Sequence, residues 1–234
     1  MDKTVGIMGG MGPAATVDLF RKIVDLTPAE SDQEHLHIII DNNPDVPDRT
    51  EAILGGGRDP LPHLVEMAQN LEAAGADLLI MPCNTAHYFL PDLKSETNIP
   101  FLNMIDLTAA RAAANLSPES PVGIMATKGT IAVKLYQEAL KDRGLTPLIP
   151  EEKYLQKIMQ AIYEIKERGP DEEGKKLIEE TIRSLENRGA RAIIAGCTEL
   201  PLLNLDKTGE TATIYDPAKI LARKTIEEAK IPGV

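Results

Sequence analysis

The chain repeats itself. Val5-Gly6-Ile7-Met8 returns as Val122-Gly123-Ile124-Met125, 117 residues on, and Gly12 then matches Gly129. Gly75-Ala76 opens a segment ending at Cys83, and Gly189-Ala190 opens one ending at Cys197, 114 residues on. Two landmarks returning at nearly one offset point to two homologous halves. Both cysteines of the chain fall on the repeat, which sets it apart from a chance recurrence of common strand patterns.

Within each half, short apolar runs alternate with longer segments of helical period. The expected strands are Thr4–Met8, Leu36–Ile40, Asp77–Met81, Phe101–Met104, Pro121–Met125, Thr146–Ile149, Ala192–Ala195 and Thr213–Tyr215. Most are continuously apolar, as in strands buried on both faces. Helices are expected over 60–74, 151–168, 171–188 and about 216–229, the middle two parted by Gly169-Pro170. The alternation predicts an α/β protein with two pseudosymmetric lobes, each a parallel sheet flanked by helices, and an active site in the cleft between them. The lobes are expected at 1–112 and 113–212, with 213–234 packing back on the first. Gly55-Gly56-Gly57 reads as a flexible loop.

A net charge of −11 argues against non-specific nucleic-acid binding. No apolar stretch approaches the ~20 residues of a membrane span, and no signal peptide is evident. A cytoplasmic location follows as the expectation, with both cysteines reduced.

A lone cysteine is commonly a small buried hydrophobe. Two at equivalent strand ends of a repeat suggest a pair of facing acid/base groups. Inverting a carbon next to a carboxylate needs a base on one face and an acid on the other, which one thiolate and one thiol supply. A free thiol has a pKa of about 8.5, and a helix N-terminus or a cation raises its thiolate fraction. Cys83-Asn84-Thr85 and Cys197-Thr198-Glu199 lie where helices should begin. Thr85 and Thr198 are expected as N-caps whose neighbouring N–H groups receive a carboxylate.

Gly9-Gly10-Met11-Gly12-Pro13, Asp48-Arg49-Thr50, Pro82-Cys83-Asn84-Thr85-Ala86-His87 and Gly196-Cys197-Thr198-Glu199 resemble the aspartate/glutamate racemase superfamily, most closely its aspartate racemase branch. The resemblance runs from residue 6 to about 217. Glutamate racemases usually carry His after the second Cys-Thr, where this chain has Glu199. The resemblance implies a cofactor-independent, homodimeric amino-acid racemase acting on an acidic amino acid. It implies Cys83 and Cys197 as the acid/bases, with Arg49 and Lys166 as cations for substrate carboxylates. Met11, Asn84, Thr85, Thr127, Thr130 and Thr198 become substrate contacts. Decarboxylases and cis–trans isomerases of the same fold, or a non-catalytic small-molecule binder, are the alternatives.

The planar guanidinium of Arg49 suits bidentate carboxylate binding, whereas Lys166 is one charge among several on its helix. His87 follows Cys83 at a spacing compatible with zinc, but no further ligand cluster completes a site, so no metal is expected and His87 reads as a supporting residue. Glu199 is expected to hydrogen-bond near Cys197 or to sit at a helix start. Gly10-Met11-Gly12 fits a dinucleotide fingerprint poorly, because the acid at the end of the second strand, Asp41, comes 31 residues after Gly10. Pro13 reads as a first-turn helix proline.

Overall fold

The computed structural model describes residues 2–205 and 211–230. The chain divides into two compact units, Met1–Met104 with Ala218–Val234, and Ile105–Pro217.

The first unit holds a parallel sheet of order β2-β1-β3, with β1 at Val5–Gly9, β2 at Ile38–Asn42 and β3 at Leu78–Ile80. Beyond β3 the sheet gains only a single parallel bridge, Leu79 to Phe101. The second unit holds a parallel sheet of order β5-β4-β6-β7, with β4 at Pro121–Ala126, β5 at Thr146–Leu148, β6 at Ala192–Gly196 and β7 at Thr213–Tyr215. With the bridge counted as a rudimentary fourth strand, the two sheets share one topology. Every residue of β1, β3 and β6 is buried, as continuous apolar runs require.

The repeat is visible in the packing. A Cβ added to Gly6 would lie 2.7 Å from Leu79 and 3.3 Å from Leu71; one added to Gly123 would lie 2.9 Å from Leu185 and 3.2 Å from Ile193. Those partners are themselves 114 residues apart. Each central strand therefore needs glycine where one helix leucine and one neighbouring-strand side chain rest against its backbone. Two carboxylates repeat as well. Glu72 accepts from Thr97 Oγ1 at 2.8 Å and from the Asn98 N–H at 3.2 Å, and these bonds hold it below the usual carboxylate range. Glu186, again 114 residues on, accepts from the N–H groups of Thr211 at 2.8 Å and Ala212 at 2.9 Å. In both halves the helix before the cysteine strand thus ties down the loop entering the last strand.

The helices of the first unit are α1 (Pro13–Leu26), α2 (Arg49–Leu54), α3 (Leu61–Ala73), α4 (Leu90–Ser95) and, from the far end of the chain, α10 (Pro217–Ala229). Pro13 occupies the first turn of α1, where the missing N–H costs no hydrogen bond. Asp48 caps α2, accepting from the Thr50 and Glu51 N–H groups at 2.8 and 2.9 Å. The Gly55–Gly57 run closes α2 rather than forming a loose loop. Gly55 turns left-handed at φ +87°, and Gly56 and Gly57 both donate to Glu51 O. The second unit carries α5 (Met104–Asn115), α6 (Lys128–Ala132), α7 (Leu135–Lys141), α8 (Glu152–Arg168) and α9 (Glu172–Asn187).

The structure differs from further sequence expectations. Phe101–Met104 is a single bridge, because the Met104 N–H is taken at 3.1 Å by the His87 ring and the chain enters α5 there. The division falls at Met104–Ile105 rather than after 112, so α5 follows the first sheet in sequence yet belongs to the second unit. Conversely, β7 pairs with β6 in the second sheet, while the helix after it groups with the first unit. Residues 1, 206–210 and 231–234, at the margins of the expected lobes, lie outside the described residues.

Gly10 is the glycine least open to replacement. Its φ is +91°, and a Cβ would lie 2.3 Å from the backbone carbonyl of Asn43. Gly10→Ala is expected to cost about 3 kcal/mol or more of stability, read as a lowered urea midpoint, because left-handed strain adds to contact with immobile backbone. The glycine serves close packing of the turn after β1 against the segment after β2.

Candidate active site

Parallel pairing fixes what stands at the sheet ends. In the first unit, β1 runs beside β3 with Ile7 opposite Ile80, so the Gly10-Met11 turn and Cys83 leave the sheet at the same edge. In the second, Ala126 pairs with Gly196, which sets Thr127 and Cys197 side by side beyond the C-terminal strand ends. These are the edges where open α/β sheets bind ligands.

Arg49 is the first residue of α2 and is only 7% exposed. Its Nη1 donates to Val46 O at 3.0 Å and Pro47 O at 2.9 Å, and its Nη2 donates to Met11 O at 3.1 Å. The side chain therefore ties the turn after β1 to the entry of α2. Its Nε–H is buried and has no hydrogen-bond partner among the described residues. A charged donor in that state is costly unless something else accepts from it.

Cys83 is free, buried and 6% exposed. Its carbonyl is 2.8 Å from His87 Nδ1, and His87 Nε2 is 3.1 Å from the Met104 N–H. A backbone N–H only donates and a carbonyl only accepts, so these two contacts assign a neutral imidazole with its proton on Nδ1. His87 thus clamps the cysteine segment to the start of α5 through backbone on both sides.

Thr85 does not cap. A short 3-10 helix, Thr85–Phe89, begins after Asn84, which makes no side-chain capping bond. Thr198 likewise precedes the 3-10 helix Leu200–Leu203, whose N-cap position is Glu199. In both places the chain turns sooner than an α-helix would, with His87 N–H donating to Asn84 O and Leu200 N–H to Cys197 O. Asn84, Thr85 and Thr198 are nonetheless buried directly beside the cysteines.

Cys197 likewise forms no disulfide among the described residues and is buried, 7% exposed. Its Sγ donates to Glu199 Oε2 at 2.9 Å, and Thr198 Oγ1 reaches the same oxygen at 3.5 Å. The other carboxylate oxygen lies 3.9 Å from Lys166 Nζ on α8. Glu199 is 2% exposed, and an ionised carboxylate so deeply buried requires such partners. Thr127 and Thr130 are engaged with each other: Thr127 Oγ1 accepts from the Thr130 N–H and donates to Thr130 Oγ1, both at 3.1 Å.

Sequence reasoning missed Tyr136. Its ring fills the space beside Gly196, with Cε2 3.0 Å from where a Cβ would stand. Burial pushes its hydroxyl far above the usual phenol range, against a hydrogen bond with Thr108, so it stays neutral. An apolar helix pattern was its only signal.

The two units therefore present equivalent thiols, one with its carbonyl clamped by an imidazole and one with its sulfur bonded to a carboxylate. Residues 8–225 match the Asp/Glu/Hydantoin racemase family, and the chain belongs to it. It is an amino-acid racemase of that family. The aspartate racemase of Picrophilus torridus is 32% identical, with a TM-score of 0.85 over 97% of this chain and 94% of that one. An aspartate racemase homologue from Pyrococcus horikoshii is 26% identical, with a TM-score of 0.77 over 97% and 99%. The broad specificity amino-acid racemase RacX of Bacillus subtilis is 26% identical over 95% of this chain and 96% of its own length.

Proposed function

We propose that the chain interconverts L- and D-aspartate without a cofactor, by proton transfer between substrate and the thiols of Cys83 and Cys197. One observation carries this reading. The only two cysteines of the chain stand at equivalent strand ends of two topologically matched sheets. The reaction needs one base and one acid on opposite faces of a carbon, and a duplicated fold supplies such a pair without further invention. Thiolate removes the α-proton on one face and thiol delivers a proton on the other. The two sulfurs exchange protonation states in each turnover. Donors aimed at the substrate carboxylate stabilise the charge that develops on it.

The preference for an acidic substrate rests on Arg49. Its buried Nε–H, without a partner among the described residues, sits in a guanidinium already oriented by three carbonyls. A carboxylate is the acceptor such a preoriented cation favours. Lys166 is a second candidate cation, although it also stands near Glu199.

In D2O without added cofactor, aspartate is expected to gain α-deuterium and lose optical rotation, followed by NMR and polarimetry. Glutamate and neutral amino acids serve as comparisons, and the largest kcat/KM is expected for aspartate. Absence of both exchange and rotation loss across all of them would sink the racemase chemistry. Loss of the aspartate preference alone would sink only the substrate assignment.

A further inference from the structure

The two thiols are not equivalent in their surroundings. Cys197 Sγ donates to a carboxylate oxygen 2.9 Å away. Cys83 has a neutral imidazole on its carbonyl and no carboxylate bonded to its sulfur among the described residues. We infer that Glu199 is a positioning residue that holds Cys197 in its thiol form, so that the resting enzyme carries its acid at Cys197 and its base at Cys83.

A thiol bonded to a carboxylate is favoured over the thiolate twice, by the hydrogen bond it donates and by the like charge it would meet on losing its proton. Lys166 Nζ stands 3.9 Å from Oε1, so the side of the carboxylate away from the sulfur faces a cation. Tyr136 on α7, which feels both Cys197 and Asp216 just past β7, is held neutral by burial. When Cys197 gives its proton to the substrate carbon, a C–H bond forms, the S–H bond breaks and the electron pair stays on sulfur. The resulting thiolate then faces the Glu199 carboxylate, which favours its taking a proton back, either from Cα of the opposite enantiomer in the reverse reaction or from solvent water.

This inference rests on the two-thiol reading, but its test needs no turnover. The racemisation equilibrium constant is unity, so kcat/KM must be equal in the two directions whatever Glu199 does. The informative quantity is the titration of the sulfur itself. In a Cys83→Ser background Cys197 is the sole thiol, and thiolate ultraviolet absorbance reports its midpoint against pH. Adding Glu199→Gln, which removes the charge and keeps the shape, is expected to lower that midpoint by about one pH unit or more, roughly tenfold more thiolate at a fixed pH below it. Glu199→Asp, which keeps the charge and withdraws it from the sulfur, is expected to fall between the two and stands in if the glutamine variant does not fold. A midpoint unchanged or raised in the variant would overturn the inference. Failure of the racemase reading would appear separately, in the deuterium experiment.

Discussion

If both thiols carry the proposed proton transfer, Cys83→Ser and Cys197→Ser are each expected to lower racemisation by about three orders of magnitude or more, the effect of losing a positioned acid/base group. The substitution replaces one sulfur by a smaller oxygen at sites only 6% and 7% exposed, so no bulk is added and only a small void is left. The far-ultraviolet spectrum and thermal midpoint should stay close to the parent. The loss is chemical. A serine hydroxyl is a much weaker acid than a thiol, and it supplies almost no anion near neutral pH to act as base. The residual behaviour separates a two-base mechanism from a single-cysteine one. Each variant retains the base of one face, so slow α-deuterium wash-in is expected into one enantiomer only, with opposite enantiomers for the two variants. Full racemisation in either variant would remove that residue from the mechanism, as a decarboxylase-like single-thiol chemistry would predict.

Arg49→Lys comes next in expected effect. The guanidinium donates to three backbone carbonyls, of Met11, Val46 and Pro47, while its Nε–H remains available. An ammonium group has three protons and no planar edge, so it cannot satisfy those carbonyls and still present a donor in the same place. A fall in kcat/KM for aspartate of about thirty- to a hundredfold is expected, the size of one lost hydrogen bond to a charged group. Neutral amino acids, if turned over at all, should lose less. An equal loss for charged and neutral substrates would mean that Arg49 acts by holding the turn after β1, not by meeting a carboxylate.

The legibility of the fold followed from burial. Parallel strands enclosed on both faces are written as uninterrupted apolar runs, and Val122–Met125 or Ala192–Ala195 admits little else. The cysteine pair was legible because duplication wrote it twice. What escaped the sequence depends on partners distant along the chain. Phe101–Met104 has strand composition, but one bridge and the His87 contact end it at once. Thr85 and Thr198 look like caps, yet 3-10 turns begin one residue away from where an α-helical start would place them. Lys166 is indistinguishable in sequence from its charged neighbours on α8; only the fold of β6 and the turn after it brings Glu199 within reach. Glu72 and Glu186 carry no motif, and their shared role emerges only when the loops they hold are seen.

The placement of α5 and α10 has a consequence for how the chain can be divided. Each half of the sequence ends in a helix that is grouped with the other half's sheet. A cut in the segment between α5 and β4 would therefore leave two fragments, each missing a helix that the other carries. Neither should reach a native state alone, whereas a mixture of the two should reconstitute one. The repeat in the sequence and the grouping of the helices are thus out of phase by one helix.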